Sequence, residues 1–171
     1  MKTGVEGKVV HQTRFERAID EGMGFSVSHR FTDVSSGDSV IMYFGNPAGS
    51  GRIAHIVAIE ISVMAQCWAD IYRNNTIVTE GVALTPVNLD LESPIQSPMK
   101  VLYGGEYTKG NRVHQTVVPG GNIVHAVGAL SEIGEQVKVS ENKNLLVEVI
   151  NRSGQDNDIS IRFMWWEEHA G

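Results

Sequence analysis

The sequence predicts an all-β fold: a β-sandwich of jelly-roll type preceded by an extended N-terminal arm. Three observations lead there. Several short segments alternate apolar and polar residues with period two, the spacing of a strand with one buried face. The turns between them are rich in Gly, Asn and Ser, and the 18 glycines among 171 residues exceed the usual share of about 7%. No segment sustains apolar residues at helical spacing. The length suits one domain with a substantial core. The single cysteine, Cys67, leaves no internal disulfide, so packing or partner chains must hold the fold.

Residues 1–24 carry weak periodicity. Phe15 to Asp20 suits at most a helical turn before Gly22 and Gly24, so this stretch reads as an arm or leading strand ahead of a domain spanning 25–171. Phe25, Val27, His29 and Phe31 then alternate with Ser26, Ser28 and Arg30, a strand with one buried face. Val40 to Phe44 is a short apolar strand, and Gly45 to Gly51 a loop. Ala54 to Met64 is the longest strand, with His55, Val57, Ile59, Ile61 and Val63 on one parity; its β-branched content favours a strand over a helix. Gln66 to Arg73 follows, with Asn74-Asn75 expected as a tight hairpin into Thr76 to Val78.

Pro86, Pro94 and Pro98 mark an irregular connection from Val82 to Met99, and Val101 to Tyr103 is a short strand. Residues 104–134 are glycine-rich and give no clear assignment. Gln136 to Val139, Leu145 to Ile150 and Ile159 to Trp165 complete the strands. In the last, Ile159, Ile161, Phe163 and Trp165 share one face.

Charge and composition exclude several classes of function. With 20 Asp and Glu against 14 Lys and Arg, the net charge of -6 argues against a nucleic-acid binder that works by neutralising phosphates. The N-terminus lacks the apolar run of a signal peptide, and the most hydrophobic segment, Ile53 to Met64, is far short of a membrane span, so no membrane partner is expected.

No catalytic, cofactor or metal constellation emerges. The Gly45 to Arg52 loop lacks the Gly-Lys-Ser/Thr ending of a phosphate cradle, and Gly49-Ser50-Gly51 lacks the spacing of a nucleophile elbow. His11, His29, His55, His114, His125 and His169 are scattered singly; His29 and His55 fall on the expected buried parity and read as core or interface residues. Cys67 beside Trp68 reads as a small buried residue. Asp156-Asn157-Asp158 has the composition of a calcium cluster without the rest of its loop and reads as a turn, and Glu167-Glu168 as a solvated strand end. Trp165 and Trp166 lie on opposite faces of one strand, so one belongs to the core and the other is exposed or covered by a partner.

Several segments taken together resemble a known family. These are Gly24-Phe25-Ser26-Val27-Ser28-His29, Ala54-His55-Ile56-Val57, Thr79 to Leu89, and the ending Asn157 to Glu167. Over residues 20–168 they resemble the small β-sandwich virion proteins of tailed bacteriophages, the capsid decoration (cement) proteins. That resemblance implies a non-enzymatic structural protein without cofactors, commonly trimeric, bound to the major capsid protein on the outer surface of an HK97-type shell. This chain departs from the family pattern at Asn74-Asn75 and in the linker Leu89 to Pro94. The candidate interface residues are Phe15, Arg17 and Ile19 in the arm, with Trp68, Tyr107 and Trp166 beyond it. Two rival readings stand beside it. One is a carbohydrate- or receptor-binding jelly-roll module using exposed aromatics among Trp68, Tyr103, Tyr107 and Trp166; the other is a cupin-like metalloenzyme using the histidines.

Overall fold

The computed structural model describes residues 12–121, 124–126 and 137–171. Its elements are α1 (Arg14–Asp20), β1 (Gly24–Val34), β2 (Ser39–Gly45), β3 (Arg52–Val63), β4 (Cys67–Arg73), β5 (Thr76–Thr79), β6 (Val82–Leu84) and β7 (Val87–Asn88). They continue with β8 (Lys100–Tyr103), β9 (Glu106–Thr108), β10 (Asn111–Val118), β11 (Val124–Ala126), β12 (Val137–Val139), β13 (Asn144–Asn151) and β14 (Asn157–His169).

Two antiparallel sheets face each other. The first runs β7–β1–β14–β3, with β11 and β12 both on the far side of β3; the second runs β6–β8–β2–β13–β4–β10. The chain alternates between sheets from β1 to β4. It returns at the end so that β13 inserts between β2 and β4, and β14 between β1 and β3. That interleaving is the jelly-roll weave. A separate two-stranded ribbon, β5–β9, belongs to neither sheet.

The core lies between the inner faces, where the period-two pattern places it. Phe25 and Val27 of β1, Ile159, Ile161, Phe163 and Trp165 of β14, and Val40, Met42 and Phe44 of β2 join Cys67, Ala69 and Ile71 of β4 and Leu145, Val147 and Val149 of β13 in one cluster. Burial of each large apolar side chain contributes roughly 1.5–3 kcal/mol.

The longest strand departs from its expected parity. Met164 pairs with Ala58 and Trp165 with Ile56, which leaves Val57 as an extra residue in β3. This bulge reverses the alternation: Ala54 and Ile56 face the core on one side of it, Ile59, Ile61 and Val63 on the other. His55 is therefore turned outward with Val57, not inward with Ile59.

The segment expected as an extended arm is in part a helix. Thr13 and Glu16 form a reciprocal capping box at the start of α1. At its end Gly22 adopts φ 71°, the Gly22 N–H reaches the Ile19 carbonyl (2.9 Å) and the Met23 N–H the Ala18 carbonyl (2.7 Å), a Schellman closure. Ala18, with Phe15 beside it, packs on Met23 and Trp166. Residues 1–11 of the arm lie outside the described residues.

Nor do Asn74-Asn75 close a hairpin on β4, since β5 pairs with β9 instead. Asn74 sits at φ 58° and turns the chain out of the sheet. Asn75 is buried and pins that corner: its Nδ2 donates to the Tyr72 carbonyl and to Asn144 Oδ1 (3.0 Å each), and its Oδ1 accepts the Gly110 N–H (3.0 Å). Among the described residues no helix is long and apolar enough to cross a membrane.

Candidate functional site

The register of the second sheet organises its outer face into cross-strand rows. Val117 of β10, Trp68 of β4 and Ile150 of β13 form the first; Gln115, Asp70, Glu148 and Ile41 the second; Arg112, Tyr72, Leu146, Tyr43 and Leu102 the third. The β5–β9 ribbon covers the third row from Tyr72 to Leu102 and leaves Arg112 exposed. Tyr107 stacks on Tyr43 (centroids 5.5 Å apart), and Ile77 packs against the same Tyr43–Leu102–Leu146 cluster. In the second row Glu148 is buried and neutralised by Lys109 Nζ at 2.7 Å. The first row stays open, with Trp68 43% and Val117 55% exposed.

The open part forms a groove of about 560 Å³ lined by Trp68, Asp70, Arg112, Gln115, Val117 and Ile150, with Thr116 at its edge. The Arg152 guanidinium lies over the Trp68 ring, 4.2 Å from its centroid. Tyr72 Oη donates to Asp70 Oδ2 at 3.5 Å. An apolar strip with planar polar side chains beside it is thus held on a rigid sheet.

The candidate interface residues fall in three places. Trp68 is in the groove. Tyr107 is half-buried under its own ribbon; its hydroxyl donates to the Gly104 carbonyl (2.8 Å), and burial beside Tyr43 and Glu80 pushes its pKa up to about 12. Phe15 and Trp166 meet at the helix: Trp166 is only 7% exposed, and its cover is this chain's own α1. On the same helix Ile19 is half-buried, while Arg17 is exposed and paired with Glu21 at 2.8 Å. Of the aromatics considered for sugar binding, Tyr103 is also engaged, stacked on His29 at 3.7 Å. Trp68 alone of the four keeps large exposure.

His29 and His55 serve packing. His29 lies between Tyr103 and Phe31, and burial pushes its imidazole below its ordinary value. His55, turned outward by the bulge, stacks on Trp166 (4.1 Å) and hydrogen-bonds Glu168 Oε1 through Nε2 (3.0 Å). His11 and the side chain of His125 lie outside the described residues. Among the described residues no three His, Cys, Asp or Glu converge as metal ligands. Cys67 is fully buried, with burial pushing its thiol up to about 11, so it is protonated at neutral pH.

Glu167 was expected at a solvated strand end, and the structure buries it. Strand β14 continues to His169, and Glu167 Oε1 accepts Trp165 Nε1 (2.9 Å) and the Ser97 hydroxyl. Its Oε2 makes no hydrogen bond; Arg52 Nη1 stands 3.7 Å away. Burial raises its pKa above the ordinary 4.5, with Ser97, Trp165 and Arg52 opposing that shift only in part. Below about pH 4.5 both folded and unfolded chains hold this proton. As pH rises, the unfolded chain releases it first, so stability falls until the folded carboxyl ionises. Glu167→Gln is expected to lack that decline: its urea midpoint should gain on wild type between pH 4.5 and 7.5, and parallel profiles would contradict the assignment.

The groove's other members were not visible in the sequence. Arg112, Gln115 and Val117 come from the glycine-rich stretch without clear periodicity, and only the β4–β10 register sets them opposite Tyr72, Asp70 and Trp68. Arg152 arrives from the turn after β13. No protein-family model matches this sequence, and no curated protein matches it either.

Proposed function

We propose that the chain is a structural protein of a tailed-phage virion that decorates the outer surface of an HK97-type capsid as a trimer and stabilises it by bridging major capsid subunits. The observation that carries this reading is a concentration of exposed apolar side chains between residues 78 and 91. Val78 is 63% exposed, Val82 and Val87 54% each, and Leu91 86%. They lie on the insertion between β4 and β10, whose short strands β6 and β7 extend the edges of the two sheets. Large apolar side chains left exposed on one insertion serve a chain that is covered by neighbours. The capped helix adds to this. Packed on Met23 and Trp166, α1 is fixed to the sandwich and gives a firm base for the arm that this reading assigns to contacts with neighbouring subunits.

The mechanism is mechanical. A rigid jelly roll holds its contact residues in place, and many weak contacts repeated over a shell sum through the high local concentration of sites. Purified chain is expected to co-sediment saturably with expanded shells lacking it. The double variant Val82→Asp, Val87→Asp and a deletion of residues 1–12, which keeps Thr13 and the helix cap, should each bind at least tenfold more weakly with unchanged circular dichroism. Undiminished occupancy by both variants would refute this attachment.

A further inference from the structure

We propose that the groove on the outer face of the second sheet is a saccharide-binding site whose ligand class is an acidic sugar, one bearing a carboxylate such as a uronic or sialic acid. A sugar ring offers an apolar C–H face and a rim of hydroxyls, so its binder needs a flat aromatic surface flanked by planar hydrogen-bonding groups. The groove supplies both. Trp68, 43% exposed with the Arg152 guanidinium against one face of its ring, is the aromatic surface, and Asp70 and Gln115 lie in the next row to meet hydroxyls.

Charge selects the class of sugar. Arg112 lines the groove in the row beyond Asp70 and Gln115, and Arg152 lies over Trp68. Two guanidiniums thus flank the site, against the carboxylate of Asp70, since Lys109 neutralises Glu148. The chain as a whole carries a net charge of -6, so the groove is locally opposite in sign to the molecule around it. A guanidinium matches a carboxylate with two parallel hydrogen bonds, which a neutral sugar cannot return. The volume of about 560 Å³ lies in the range of small-ligand sites, roughly 300–1,000 Å³. A protein partner fits less well, because only Val117, Trp68 and Ile150 of the lining are large and apolar. The groove lies at the β10 end of the second sheet, across the sheet from its β6 edge, so the proposal does not rest on shell attachment.

The chain carries its own reporter. Of its three tryptophans Trp165 and Trp166 are buried, so a ligand in the groove changes the emission of Trp68. The intact protein is titrated with tetragalacturonate, a hyaluronan tetrasaccharide and sialyllactose, with cellotetraose as the neutral comparison. The expected result is a saturable change with at least one acidic sugar, at least tenfold weaker with cellotetraose. By calorimetry, Arg112→Ala should weaken acidic binding about tenfold or more, the loss of one charge-assisted contact, and Trp68→Ala should abolish it. Both side chains are exposed, and circular dichroism checks that the variants fold. Three results would overturn the proposal: no saturable response to any acidic sugar, equal affinity for cellotetraose, or a blue shift of Trp68 that grows with protein concentration alone alongside a larger sedimentation coefficient. The last would make the face an interface between copies.

Discussion

Trp165→Ala is expected to lower the unfolding free energy by about 5 kcal/mol, the upper part of the range for removing a large buried aromatic side chain. Trp165 is fully buried at the centre of the sandwich, stacked on Phe25 (6.0 Å between centroids) and edge-on to Phe44 (4.9 Å). Its removal opens a cavity between two sheets whose backbones are held by their ladders and cannot collapse into it. It also takes from Glu167 Oε1 the Nε1 donor, leaving a buried acid with less to satisfy it. For a chain of this length the loss corresponds to a fall in Tm of about 10–20 °C. Trp68→Ala serves as the internal comparison: the side chain is exposed, and its removal should change stability by no more than about 0.5 kcal/mol. Urea midpoints for the two variants test the assignment of core and groove together. A Trp165→Ala variant within 1 kcal/mol of wild type would contradict it.

Asn157→Ala should cost about 2–3 kcal/mol, although it removes only a small polar group. Asn157 is 2% exposed at the start of β14. Its Oδ1 accepts the backbone N–H groups of Met64 (3.1 Å) and Ala65 (3.0 Å), while its Nδ2 donates to the Ala65 carbonyl (2.8 Å) and touches Cys67 Sγ (3.2 Å). This one side chain closes the corner where the chain passes from β3 in the first sheet to β4 in the second. Alanine leaves the Ala65 N–H without its partner, the Met64 N–H with only the longer bond to the Asp158 carbonyl (3.3 Å) and the Ala65 carbonyl with only the Cys67 thiol (3.5 Å); an unsatisfied buried group costs about 1–3 kcal/mol. Asn157→Asp keeps both accepted bonds and loses the donated ones, so its stability should lie between the two. Equal stability of Asn157→Ala and wild type, measured by urea unfolding, would show that water replaces the side chain.

The same residue marks where sequence reading stops. In Asp156-Asn157-Asp158 the composition resembles a cation loop or a turn, and nothing local says that Asn157 opens a strand and ties down a corner 92 residues away. The strands β1 and β14 were legible because period-two alternation is a local property, and β2, β4 and β13 as short runs bounded by turns; in β14 the alternation placed Ile159, Ile161, Phe163 and Trp165 inward as the structure does. The Val57 bulge was not legible. It is set by pairing with β14, and a single added residue moved His55 from the expected inner face to the outer one.

Helix α1 had left a signal. Thr13-Arg14-Phe15-Glu16 has the capping-box spacing and Gly22 the closing position, but seven residues are too few for helical periodicity to stand out. Missing it left Trp166 without a cover and invited a partner in that place. The candidate site was legible only in its central residue. Trp68 stands out in the sequence, whereas Arg112, Gln115 and Val117 belong to the groove solely through long-range register, and Tyr107 left the exposed set because the β5–β9 ribbon folds back over Tyr43.

The central claim, decoration of a capsid exterior, is tested most directly by electron microscopy of expanded HK97-type shells incubated with the purified chain. Added density of jelly-roll shape is expected at repeated, trimeric positions on the outer surface, with the 78–91 insertion turned toward neighbouring subunits. Shells that remain bare at saturating protein, or density confined to the interior, would contradict it.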